Sequence, residues 1–231
     1  MAPNLRLSLT IFTIGFAIEA GVNAYDILTG SSRGGAAGET LFIVGIVATL
    51  FGVLFLTLGR HEWNEIHRTR VHHAHLTLLV TVLLALAAAG PIAYYAYMSG
   101  LAIPSWLAYE VGAAVAASLF LSFILYAIIV YHLLGTTGRA VLILALVAAV
   151  PVVGIVGYHI AGDIPTYLAT VRTSPTKLAA LVEPVVSYLS YMFLAYALFA
   201  VAFIDAHRRV ARGLEPPTID GSPPTAPSSP P

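Results

Sequence analysis

The chain has 231 residues, 58% of them hydrophobic and 10% charged, with a mean hydropathy of +0.87. A water-soluble domain carries about 25% charged and about 45–50% apolar residues, so this composition excludes a soluble globular enzyme, a disordered chain and a nucleic-acid-binding surface. Lys and Arg total 11 against 11 Asp and Glu, and Cys is 0, which excludes disulfides, thiolate metal ligands, iron–sulfur clusters and a cysteine nucleophile.

A spanning helix needs roughly 20 mostly apolar residues, and six stretches qualify, 7–28, 41–58, 76–98, 106–134, 141–161 and 178–204. The runs are long and continuous, unlike the alternating strands of about 10 residues in a membrane barrel. The expected fold is therefore all-α, a polytopic bundle of six transmembrane helices over residues 1–212. The first stretch carries Glu19, Asn23 and Asp26 on one helical face. Because these polar residues interrupt it and no small-residue cleavage site follows, it is read as an uncleaved span rather than a signal peptide. An ionisable group inside a span is costly and faces the bundle interior or water. Glu19, Asn23 and Asp26, with Glu110 and Glu183 further along, are therefore candidates for a cation or proton path. A carboxyl hydrogen-bonded to a tyrosine in a packed interface is the alternative for Glu19. Glu39, Glu110 and Glu183 also fit an interfacial position near span ends.

Between the second and third stretches lies the densest histidine run of the chain, from His61 to His75. It contains His61, Glu65, His67, His72, His73 and His75, and His132 closes the fourth stretch. Neutral imidazole is a common ligand for transition metals and b-type haem iron. His72, His75 and His132 are candidate haem ligands, and His61, Glu65, His67 and His73 candidate metal ligands. His75 and His132 stand at similar depth on adjacent antiparallel spans, where they could hold a haem axially or share a metal. Interfacial anchoring of a basic loop to anionic headgroups is the competing explanation. The element His67-x4-His72-His73 resembles one histidine box of the membrane desaturases, but His132, His159 and His207 stand isolated, so the remaining boxes are missing. Proteolytic and nucleotide-hydrolysing motifs are absent from the sequence as well, and the chain is not expected to be an enzyme.

The alanine-rich third stretch carries Pro91 and the fifth Pro151, while Pro184 sits near the start of the sixth. Proline removes a backbone donor and kinks a helix. Glu39 precedes His61, and Glu110 precedes His132, by 22 residues, and Glu183 precedes His207 by 24. Two explanations stand: three hairpins from a duplicated two-helix unit, or polar residues bracketing helices that rise about 33 Å across the bilayer. Eight arginines (Arg6, Arg60, Arg68, Arg70, Arg139, Arg208, Arg209, Arg212) fall on one side, against Arg33, Arg172 and Lys177 on the other. The positive-inside rule then places both termini in the cytoplasm, at the plasma membrane. The tail, 213–231, holds seven of the 14 prolines and is expected to be disordered and cytoplasmic.

Residues 40–162 carry a faint likeness to known proteins. His67-Arg68 and His75-Leu76 lead into the third span, and a helix opens at Gly138-Arg139 and continues through Gly154-Ile-Val-Gly-Tyr158. This order resembles small polytopic proteins associated with the assembly of haem–copper terminal oxidases, and more loosely cytochrome b membrane anchors. Two departures stand out: Tyr109-Glu110 occupies the helix where that family usually has a histidine, and the sixth span is extra. The resemblance implies a respiratory-chain accessory that binds haem b or a transition metal, or assists oxidase assembly, through the histidines named above. Read from the residues alone, a transporter or channel subunit with an acid-lined path is the alternative. A partner-binding scaffold, using small-residue faces such as Ala113-Ala114-Ala116-Ala117, is a third. Expected partners are membrane lipids, a respiratory or transport complex, or a second copy of the chain, and no nucleic acid.

Overall fold

A computed structural model describes residues 3–29, 36–59, 65–95, 101–173 and 190–213. Among the described residues the structure is all-helical, with six α-helices: α1 (Pro3–Thr29), α2 (Ala36–Leu58), α3 (Glu65–Ala93), α4 (Ser105–Val130), α5 (Thr136–Thr173) and α6 (Phe193–Ala211). Short 3-10 turns, Tyr131–Leu133 and Ser190–Met192, follow α4 and precede α6. Among the described residues, five helices are long and apolar enough to cross a membrane, namely α1, α3, α4, α5 and α6 with its preceding turn. The described apolar part of α2, Ile43–Leu58, is shorter.

Helix bounds differ from the apolar stretches in informative ways. Helix α3 begins at Glu65, so the histidine run from there onward is helical and continuous with the third stretch. The 38 residues of α5 outrun the stretch 141–161 and give a rod of about 57 Å, well beyond a bilayer core of about 30 Å. Helix α6 continues past Ile204 to Ala211, capped by the amide of Arg212 donating to the carbonyls of Arg208 and Arg209. The first part of the sixth stretch, Pro184, His61 and residues 214–231 of the tail lie outside the described residues.

Each sequential pair packs as an antiparallel hairpin: α1 on α2, α3 on α4, α5 on α6. The hairpins join through α1 against α6 and α4 against α5. The N-terminus of α1 meets the end of α2, where a Cβ on Gly59 would come within 3.0 Å of the Leu5 amide. The start of α5 meets the end of α6, where Asp205 Oδ2 accepts from the Gly135 amide at 3.2 Å and occupies the space a Cβ on Gly138 would need. A carboxylate there complements the positive N-terminal end of α5.

The outer surface differs from that of a water-soluble bundle, and the largely apolar interior admits several polar groups. Outward faces carry Ile14, Leu50, Phe51, Leu79, Leu83, Leu86, Leu144 and Val147, all exposed. Buried positions include Ser8, Glu19, Asn23, Asp26, Thr49, His67, His132 and Ser190. A wide apolar exterior over a partly polar interior suits a hydrocarbon surround.

Helices α4 and α5 cross at backbone contact. A Cβ on Gly112 would collide with the Gly157 carbonyl and come within 2.8 Å of Ala161 Cβ, and a Cβ on Gly157 would lie 2.7 Å from Ala116 Cβ. Gly112 and Ala116, like Gly157 and Ala161, are four residues apart, the small-residue spacing that lets membrane helices approach closely. Gly154 meets nothing within 4 Å. Gly157→Leu is expected to lower the unfolding temperature in detergent, at a cost of about 1–3 kcal/mol from overpacking. Gly154→Ala is expected to stay within about 0.5 kcal/mol of the parent; equal melting of the two variants would contradict the crossing.

Candidate functional site

The buried stripe of α1 repeats at helical spacing through Leu5, Ser8, Leu9, Phe12, Phe16, Glu19, Val22, Asn23 and Asp26. Its first half is apolar but for Ser8; its second half carries two carboxyls and a carboxamide. Glu19 is 4% exposed, Asn23 0% and Asp26 6%. All three face the bundle interior, about 10 Å from first to last.

Helix α2 makes room for this stripe with glycine. A Cβ on Gly45 would sit 2.8 Å from Glu19 Cγ, one on Gly52 would sit 2.9 Å from the Phe12 ring, and one on Gly59 would press on Asn4 and Leu5. The three glycines are seven residues apart, as are Glu19, Phe12 and Leu5 opposite them, so each meets a large side chain or the backbone of α1 at one level. The Ser8 hydroxyl donates to the Gly52 carbonyl at 2.7 Å, tying the two helices together. Thr49 donates to the Ile46 carbonyl at 2.8 Å and lies beside the Tyr126 side chain of α4, which is within electrostatic range of Glu19. At the far end of the stripe, the Ser190 hydroxyl donates to Asp26 Oδ2 at 3.3 Å across 164 residues of sequence. Among the described residues, Asn23 Oδ1, Asn23 Nδ2 and Asp26 Oδ1 are buried with no hydrogen-bond partner.

Below Glu19 the interior closes with aromatic rings. Phe12 and Phe203 have centroids 4.9 Å apart, Phe16 meets Tyr126 edge-on at 5.0 Å and Phe199 at 5.3 Å, and Phe123 stacks on Phe199 at 5.4 Å. This cluster separates the acidic half of α1 from the histidine-rich end of the bundle.

At that end, His67 Nδ1 and His132 Nε2 are 2.9 Å apart, with both rings buried. One nitrogen donates and the other accepts, so the accepting ring is neutral. Nδ1 of His132 is buried and makes no hydrogen bond among the described residues. Arg70 and Arg139 lie within electrostatic range of His132, and the Arg139 guanidinium sits 4.9 Å over the Tyr131 ring. The sequence suggested His75 as the mate of His132. Instead His75 Nε2 pairs with the Thr57 hydroxyl of α2 at 2.8 Å. Helix register is the reason. Ser118 donates to the Thr81 carbonyl and His132 faces His67, so the antiparallel α3–α4 pairing sets His75 opposite Ile124, two turns short of His132.

Other candidates are scattered. His72 and His73 are exposed, with ring centroids 6.3 Å apart. Glu110 is on the exposed face of α4. Glu183 and His61 lie outside the described residues, as does the side chain of Glu65. Among the described residues, no three His, Cys, Asp or Glu side chains gather where they could hold a metal ion. Sequence reading missed Ser190, Thr49 and Tyr126, and the glycines of α2; the seven-residue spacing of Gly45, Gly52 and Gly59 was the available signal. Compared with known proteins, the chain matches no family model, no curated protein and no solved structure.

The histidine pair has a checkable energetic signature. Removing one partner of a buried hydrogen bond strands the other, at about 1–3 kcal/mol, whereas removing both is far milder. His67→Phe and His132→Phe alone are each expected to lower the chemical unfolding midpoint in detergent, and the double variant to recover part of the loss. Strictly additive losses would show that the two rings are energetically independent.

Proposed function

We propose that this is a multi-pass plasma-membrane protein with six spans and both termini in the cytoplasm, and that it moves a cation or proton along the acid-lined interior of α1. The observation that carries this is the burial of Glu19, Asn23 and Asp26 on one face, with both side-chain polar atoms of Asn23 and one of Asp26 lacking a hydrogen-bond partner among the described residues. Burying polar groups without partners costs several kcal/mol each in hydrocarbon, and a path for a charged or polar species is a function that repays such a cost. Orientation follows the arginine count, eight to three, which puts the histidine-rich end inside and Asp26 toward the outside. The aromatic cluster below Glu19 then acts as the barrier that a moving species must pass, and Pro91 and Pro151, within α3 and α5, are points where those helices can bend. The packing of sequential hairpins favours a repeated two-helix unit. Lipids are the expected surround, with a transport complex or a second copy as partner.

A second reading, a respiratory-chain accessory that binds haem b or a transition metal or assists oxidase assembly, rests on the buried His67–His132 pair. The pair sits at hydrogen-bond distance, 2.9 Å. Two axial imidazoles on one iron would stand about 4 Å apart, given metal–nitrogen bonds of about 2 Å, so ligation requires the rings to separate. His72 and His75 point to other surroundings, and this weakens the second reading relative to the first.

Glu19→Gln keeps the shape of the carboxyl and removes its titratable proton. In proteoliposomes carrying a pH-sensitive dye and an imposed ion gradient, this variant is expected to lose at least about tenfold of the parent's flux, corresponding to about 1.4 kcal/mol or more on the barrier. Unchanged flux would remove Glu19 from the path. Protein purified from a haem-replete host is expected to lack a Soret band; a stoichiometric band abolished by His132→Ala would instead establish the second reading.

A further inference from the structure

The far end of the stripe has the makings of a binding site more specific than a proton wire. Asp26 is 6% exposed and Asn23 is wholly buried; one helical turn separates them, and Ser190 is held against Asp26 from the turn before α6. Asn23 Oδ1 and Asp26 Oδ1 lack hydrogen-bond partners among the described residues. Ser190 spends its hydrogen on Asp26 Oδ2, which leaves its oxygen lone pairs available. Three buried oxygens of three chemical kinds, a carboxylate, a carboxamide and a hydroxyl, thus lie within one turn of α1 and the Ser190 contact to it.

Donor chemistry narrows the ligand. An all-oxygen set suits a hard cation, whereas transition metals prefer imidazole and thiolate, and neither is among these donors. A proton needs one basic atom and gains nothing from Asn23, which does not titrate. One carboxyl group can supply at most a single negative charge here, and Glu19 stands about 10 Å away along the helix, against Gly45 and within electrostatic range of Tyr126. One carboxylate among neutral oxygens balances one positive charge in a low-dielectric interior, whereas a divalent ion would be left under-compensated. Water completing the ion's shell supplies the acceptor that Asn23 Nδ2 requires.

We propose that Asn23, Asp26 and Ser190 form a binding site for a monovalent alkali cation at the Asp26 end of α1. This rests on the transport reading and names the species: the cation enters beside Asp26, and Glu19 is the next polar group on its way inward.

The test uses the full chain in detergent, with Na+ as the probe and N-methyl-D-glucamine chloride holding ionic strength constant. Saturable binding of radioactive sodium is expected, together with a sodium-dependent rise in melting temperature. Asp26→Asn and Asn23→Ala are each expected to weaken sodium binding at least tenfold, and Ser190→Ala several-fold, with monodisperse gel filtration retained. Should Asp26→Asn fail to fold, Asn23→Ala and Ser190→Ala carry the comparison. Absence of sodium binding to the parent, saturable binding of Ca2+ in its place, or binding retained in both Asn23→Ala and Ser190→Ala would overturn the site. Glu19-dependent proton flux that ignores sodium would overturn the cation site while leaving the transport reading intact; loss of both would remove both.

Discussion

The constraint on which this structure turns is the burial of two carboxyls and a carboxamide on the inward face of an otherwise apolar helix. A charged or polar side chain in hydrocarbon has few tolerable positions, and the bundle interior is the chief one. With Glu19, Asn23 and Asp26 facing inward, the orientation of α1 about its axis is set, and the neighbours must accommodate it. Helix α2 does so by presenting Gly45 where Glu19 passes and Gly52 against Phe12, and Gly59, just after it, meets the start of α1. Ser190 does so by reaching Asp26 from the turn before α6. The central place of α1, packed against α2, α6 and that turn, is the consequence.

Polarity is divided along the bundle. The acidic half of α1 lies on one side of the rings of Phe12, Phe16, Phe123, Tyr126, Phe199 and Phe203, and the His67–His132 pair on the other. Aromatic side chains bury large areas and interlock at defined angles, so this layer both stabilises the meeting of α1, α4 and α6 and separates two polar compartments. The α4–α5 crossing, built on Gly112, Ala116, Gly157 and Ala161, is a close backbone contact, and Pro151 lies in α5 six residues before Gly157.

The histidine-rich end shows how strongly register governs which side chains meet. A histidine at the mouth of a span and another at the close of the next suggest a pair by depth alone. Antiparallel packing matches residues by their offset along both helices, and because α3 is helical from Glu65, that offset selects His67 for His132 and sends His75 to Thr57. Eight residues in a helix are more than two turns, about 12 Å of rise, enough to exchange a candidate ligand pair for a hydrogen bond to a hydroxyl.

Much of the architecture is legible in the residues alone. Apolar run length gives the helices, because only a continuous helix satisfies its own backbone in hydrocarbon. The i, i+4, i+7 spacing of Glu19, Asn23 and Asp26 puts them on one face, because the period of the helix is local. What packs against that face is decided by tertiary structure: the glycines of α2, Tyr126 of α4 and Ser190, 164 residues beyond Asp26. Such partners depend on helix rotation, register and the order of packing around the bundle. Those quantities arise from many weak contacts summed over whole interfaces, and no short window of sequence contains them.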